Sequence, residues 1–189
     1  MITVYIKKIE NILENEKQNI INSLSLPART RINKKRNEKI FLASICALSL
    51  LTDKQRADLD YTESGIPFFK TLNQDVSISH SDTFSAIAIS DSKEVKIGID
   101  VEDISKSCLS PRFLTENEKR TLSSEESFLE IWTKKEALFK FLKNDSLQFI
   151  HLDSTTPEKY DTTFLITKIE NSILTICTNK DSEIEILQK

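Results

Sequence analysis

The chain has 189 residues, 39% apolar and 29% charged, the make-up of a globular protein able to bury a core as one domain or as two small ones in contact. A net charge of −3 argues against a general nucleic-acid binder. No apolar run reaches the roughly 20 residues of a membrane-spanning helix, and residues 1–7 lack a signal-peptide layout, so a cytoplasmic, non-membrane protein is expected.

Residues 2–9 alternate as a first strand. Six cations then crowd into 29–39 (Arg29, Arg31, Lys34, Lys35, Arg36 and Lys39), either as a solvated helix start or as a basic rim for an anionic ligand or acidic partner. Residues 36–51 carry the apolar spacing of a helix buried on one side, with Ile40, Phe41, Ile45, Leu48 and Leu51. Gly65, Ile66 and Pro67 signal a turn. Strands are predicted over 76–80, 84–90 and 95–102, a polar link over 104–124, and a helix over 128–143. Residues 164–170 and 173–178 read as a hairpin and 184–187 as a last strand. The three cysteines, Cys46, Cys108 and Cys177, are far apart and read as reduced thiols, with Cys46 and Cys177 buried among apolar neighbours. The fold class that follows is α+β.

Two segments carry the chemistry. Along 96–102, Ile97, Ile99 and Val101 face one way and Gly98, Asp100 and Glu102 the other. Asp100 and Glu102 then sit roughly 6–7 Å apart at their backbones, and two such carboxylates repel unless a cation lies between them. On the predicted helix, Trp132, Glu136 and Lys140 form an i, i+4, i+8 stripe with Lys135 beside it. Each pattern alone also fits a solvated strand face or an amphipathic helix. Joined, three carboxylates and two lysines match the needs of a magnesium-bound diphosphate. Ser79, His80 and Ser81 end a strand; no G-x-S-x-G elbow surrounds the serines, and the chain has no P-loop. Asp100 reads as a surface carboxylate whose removal costs little stability.

Taken in order, Gly65-Ile66-Pro67, Ser79-His80-Ser81, Gly98-Ile99-Asp100-Val101-Glu102, Arg112-Phe113-Leu114 with Glu118, and Trp132-Thr133-Lys134-Lys135-Glu136-Ala137-Leu138-Phe139-Lys140 resemble the 4′-phosphopantetheinyl transferases, Sfp type. The chain has only two glycines, Gly65 and Gly98, and both fall at motif positions. The resemblance implies two similar α+β subdomains, 1–95 and 96–189, related by pseudo-twofold symmetry with the active site in the cleft between them. It implies transfer of 4′-phosphopantetheine from coenzyme A to a serine of an apo acyl or peptidyl carrier protein, by a monomer, with release of adenosine 3′,5′-bisphosphate. Asp100, Glu102 and Glu136 would hold Mg2+. Glu136 and Lys140 would be catalytic, the first toward the serine proton and the second toward the leaving phosphate. Arg29, Gly65, Pro67, Ser79, His80, Lys135 and Lys140 would bind coenzyme A, with Arg31 a further candidate beside Arg29. Ile66, Phe41 and residues 143–147 depart from the family pattern, all toward the nucleotide end. A non-catalytic relative that binds coenzyme A or carrier protein, and a magnesium-dependent phosphohydrolase, are the alternatives.

Overall fold

In the computed structural model the described residues are 1–10, 12–105, 110–144, 146–179 and 182–189. Cys108 lies outside them. The first strand, β1 (Ile2–Lys8), alternates buried and half-buried positions, as its sequence does. Four helices follow: α1 (Glu14–Ser23), α2 (Leu26–Asn33), α3 (Glu38–Ser49) and α4 (Asp53–Asp58). Side chains that precede these helices set three of the starts. Ser25, Asn37 and Thr52 accept backbone N–H bonds at the N-termini of α2, α3 and α4, which relieves donors with no partner inside the helix.

Two short strands, β2 (Leu59–Tyr61) and β3 (Pro67–Phe69), form a hairpin around Gly65. Next come β4 (Val76–His80), β5 (Phe84–Ser90) and β6 (Ile97–Asp103). The polar link contains a turn of 3-10 helix at Pro111–Phe113 and a short helix, α5 (Glu116–Arg120), which periodicity alone does not reveal in so polar a stretch. The long helix α6 (Glu125–Leu142) begins three residues earlier than its apolar pattern predicts, because Ser124 caps it through the Ser127 N–H. The hairpin β7 (Thr163–Ile169) and β8 (Ser172–Thr178) and the strand β9 (Ile184–Gln188) complete the chain.

The strands make two main sheets. One runs β4-β5-β1-β9, with β1 antiparallel to β5 and parallel to β9, so the last strand returns to the sheet of the first. The other runs β6-β8-β7, antiparallel throughout. Ile2, Val4, Ile6, Phe84, Ala86 and Ala88 of the first sheet meet Ile97, Ile99, Val101, Leu174 and Ile176 of the second in one dry core. Residues of α1, α2 and α3 (Ile20, Ile32, Ile45 and Leu48) share a core with Ile87 on the opposite face of the first sheet. Ala137, Leu138 and Phe141 of α6 cover the outer face of the second with Cys177. The thiols of Cys46 and Cys177 are free and buried, and burial pushes that of Cys177 up to about 12. Among the described residues no helix is long and apolar enough to cross a membrane.

β6 is an edge strand, and its free N–H groups are not left to solvent. The N–H groups of Ile97, Ile99 and Val101 donate to Asp75 Oδ2, Ser77 Oγ and Ser79 Oγ at 2.9, 3.0 and 3.3 Å. Side chains of β4 and the residue before it thus take the place of a neighbouring strand's carbonyls. Asp103 continues the seam, accepting from the hydroxyls of Ser81, Thr83 and Ser172. Lys143, which ends α6 in the left-handed conformation (φ 46°) where glycine is favoured, donates to Asp75 and to Val76 O.

Gly98 sets how closely α6 approaches β6. A Cβ there would stand 1.9 Å from Ala137 O and 2.5 Å from Phe141 N, both backbone atoms of α6. The helix cannot yield locally, so Gly98→Ala is expected to lower unfolding free energy by about 3 kcal/mol, measured by urea denaturation. An unchanged midpoint would show that α6 can withdraw at no cost.

Candidate active site

The segments singled out in the sequence converge at the seam between β4 and β6. Asp100, on β6, is only 4% exposed. Its Oδ1 accepts from Lys140 Nζ of α6 at 2.7 Å and from Ser79 Oγ of β4 at 2.8 Å. Lys140 Nζ also donates to Ser79 Oγ at 3.0 Å. Three motifs far apart in sequence thereby share one hydrogen-bonded group. The Oδ2 of Asp100 is buried and has no hydrogen-bond partner among the described residues. This corrects the sequence reading of Asp100 as a surface carboxylate: α6 and β4 cover it, and its removal strands Lys140 and Ser79.

Two cavities meet at His80. One, of about 550 Å³, is lined by Lys39, Ile40, His80, Ser81, Glu102 and Asp103 among others. The second, about 160 Å³, is lined by Arg31, Lys35, Tyr61, Gly65, Pro67 and His80 among others, with two cations, Arg31 and Lys35, and no carboxylate in its described lining. Burial, then the charge of Arg31, pulls the Lys35 ammonium below its usual range. The same pocket pushes the Tyr61 phenol up to about 12 by burial, so the ring stays neutral under Arg31, whose guanidinium lies 5.1 Å from its centroid. Burial first, then Lys35 and Lys140, hold the His80 imidazole below its usual 6.5, hence neutral at pH 7. Gly65 adopts φ +96°, and a Cβ there would lie 1.8 Å from Arg31 Nη2. Glycine is therefore needed twice over, for the turn and for the arginine above it.

Two expected ligand residues stand elsewhere. Arg29 donates from Nη2 to Asn22 O and Leu24 O, bracing the end of α1, and lines neither cavity. Its neighbour Arg31, two residues on, points to the other side of α2 and is the cation that reaches the pocket. Lys135 is fully buried. It donates to Glu118 Oε2 at 2.8 Å and to Leu152 O, while Glu118 also accepts from the Ser154 N–H and hydroxyl. One helical position from Glu136, it is turned into the protein and ties α5 and the 152–154 loop to α6. Trp132 of the same motif packs between Phe113 and Phe149, at 6.0 and 5.4 Å between ring centroids.

Glu102 lines the larger cavity and Glu136 lies one turn before Lys140 on α6. Among the described residues no group of three His, Cys, Asp or Glu side chains is gathered closely enough to hold a metal ion. The donor set still fits a divalent cation in kind: carboxylate oxygens, with a buried Asp100 oxygen lacking any partner. Sequence reasoning named Lys35 only as one of the basic run, and missed Tyr61 and the seam residues Asp75, Ser77 and Asp103. The seam had a signal, since short polar residues recur at every second position from Asp75 to Ser81, alternating with Val76, Ile78 and His80.

Residues 96–185 match the family model of the 4′-phosphopantetheinyl transferase superfamily. The matched stretch, just under half of the chain, begins at the start of β6 and ends in β9, taking in Asp100, Glu102, Glu118, Lys135, Glu136 and Lys140. The matched stretch, of mixed α and β content, is thus similar to that superfamily, whose general activity is phosphopantetheinyl transfer. No curated protein matches the chain.

Within the matched region the two motif lysines differ in burial, and stability separates them. Lys135→Met leaves Glu118 buried without its cation, and is expected to cost about 3–5 kcal/mol in urea unfolding. Adding Glu118→Gln should recover part of that loss. A Lys135→Met protein as stable as the parent would show that the pair is not structural.

Proposed function

We propose that the chain is a 4′-phosphopantetheinyl transferase of the Sfp type, moving phosphopantetheine from coenzyme A to a serine of an apo acyl or peptidyl carrier protein. The observation that carries the reading is the group made by Asp100, Lys140 and Ser79, which joins three sequence motifs at one point beside a cavity. The run of polarity along the two cavities supports it. Arg31 and Lys35 stand at one end, neutral His80 in the middle, and Glu102 at the other. That layout suits a ligand with a phosphate at one end and a metal-associated diphosphate at the other. Arg31, Lys34, Arg36 and Lys39 are exposed beside it, a charge fit for an acidic carrier surface.

On this reading Asp100, Glu102 and Glu136 hold Mg2+, which would neutralise diphosphate charge and polarise the phosphorus under attack. The carrier serine oxygen forms a bond to the phosphorus that bears the pantetheine arm. The bond from that phosphorus to the bridging oxygen breaks, and adenosine 3′,5′-bisphosphate leaves. Glu136 takes the serine proton, directly or through water. Lys140 stabilises charge on the departing phosphate. His80 donates to a phosphate oxygen, while Tyr61, Gly65 and Pro67 flank the nucleotide and Arg31 with Lys35 takes its phosphate. The same reading treats 1–95 and 96–189 as two related subdomains of a cytoplasmic monomer, with the site in the cleft between them.

The test is intact-protein mass spectrometry of apo carrier proteins incubated with the chain, coenzyme A and Mg2+. A phosphopantetheine increment that disappears with chelator is expected. Absence of any increment on acyl and peptidyl carriers alike, with coenzyme A bound, would overturn transfer and leave a binding relative. Lys140→Ala should lower kcat about 10²–10³-fold while melting stays cooperative; unchanged kcat would remove Lys140 from the mechanism.

A further inference from the structure

We infer that Ser79 is a positioning residue for the Asp100 carboxylate and not a contact for the ligand's phosphates. The inference rests on the metal-assisted reading above and assigns Ser79 a different part in it. A serine hydroxyl offers one donor and two acceptor sites. At Ser79 all are used: it donates to Asp100 Oδ1 at 2.8 Å, and it accepts from Lys140 Nζ at 3.0 Å and from the Val101 N–H at 3.3 Å. Nothing remains for a phosphate oxygen, and the side chain is 5% exposed. His80, the next residue, lines both cavities, whereas Ser79 lines neither.

The geometry also says what the hydroxyl achieves. Asp100 Oδ1 takes both of its bonds from Ser79 and Lys140, and Oδ2 is buried with none. A carboxylate pinned through one oxygen cannot rotate freely about its last torsion, so the other oxygen keeps one direction. Lys140 is a poor pin by itself, with a long flexible stem and a side chain 28% exposed. Ser79 is a short side chain on a paired strand, opposite Ala86 of β5. Its bond to the Val101 N–H also locks it to the residue that follows Asp100. Hydrogen-bond partners of a ligating carboxylate commonly govern metal affinity in this way.

The experiment uses the full chain with coenzyme A present and follows Mn2+ binding by electron paramagnetic resonance. Ser79→Ala is expected to weaken Mn2+ binding about 10–100-fold, while affinity for coenzyme A measured without metal stays within about twofold, as expected when no direct contact is lost. Ser79→Thr, which keeps the hydroxyl, should restore most of the Mn2+ affinity. Ser79→Cys preserves the volume but not the strong donor, and should show the same loss should Ser79→Ala fold poorly. Unchanged Mn2+ affinity in a folded Ser79→Ala protein would overturn the inference. So would a fall in coenzyme A affinity as large as that for Mn2+, which would make Ser79 a ligand contact. Wild-type and Asp100→Asn proteins that bind Mn2+ equally would instead remove the metal reading itself, and the inference with it.

Discussion

β6 must be held on three sides at once, and most of the molecule follows from that. One edge pairs with β8 along its whole length. The other edge has no strand beside it, yet it is buried, and an unmet buried N–H costs about 1–3 kcal/mol. Asp75, Ser77 and Ser79 meet three of these donors in register, each two residues on from the last. The third constraint is a face: Gly98 lets the α6 backbone approach until no Cβ would fit. Asp100 and Glu102 share that face. The strand that bears the carboxylates therefore cannot move without breaking a sheet, a seam and a helix contact together.

The two motif lysines on α6 show how one helix holds two ion pairs of different depth. Lys135 and Glu118 are both fully buried, and Glu118 has further bonds from Ser154. Such a pair is fixed, since separating it strands a charge away from water. Lys140 and Asp100 are at the same 2.7–2.8 Å scale but Lys140 is partly in solvent, so the separated ammonium can be hydrated. The buried Asp100 carboxylate still needs a cation when the ammonium leaves, so the cost of separation falls on the carboxylate side. The difference arises from what covers each lysine. The 111–118 stretch and the 152–154 loop close over Lys135, whereas Lys140 lies beside the seam at the edge of the site.

Much of this was legible in the sequence. Strict period-two alternation gave β1, β4, β5, β6 and the β7–β8 hairpin within a residue or two, and apolar spacing gave α3 and α6. The facing of Gly98, Asp100 and Glu102 follows from the same alternation. Depth did not follow from it. Periodicity assigns a side chain to a face but not to what lies over that face, so Asp100 reads as a surface group until β4 and α6 are placed. Lys135 is misplaced for the same reason: it is about 100° round the helix from Glu136, and the polar segment covering it has no pattern of its own. Arg29 and Arg31 cannot be told apart by charge, since only the position of the 59–69 hairpin decides which one meets the pocket. Two glycines in the whole chain were the most reliable local signal, because each stands where a neighbouring group leaves no room for a Cβ.

The electrostatic layout gives the two ends of the site different demands. At the Arg31 end Lys35 shares a small pocket with Arg31, and burial, then the charge of Arg31, raises the cost of charging it; an anion bound there would lower that cost. At the Asp100 end a buried carboxylate oxygen lacks a partner, and a cation would supply it. His80 stands between as a neutral group, its protonation opposed first by burial and then by the charges of Lys35 and Lys140. A ligand that is anionic throughout satisfies the first end directly and the second only together with a metal ion. A simple anion satisfies one end alone. On the proposed function, the charge pattern therefore fits an extended polyphosphorylated ligand better than a compact one.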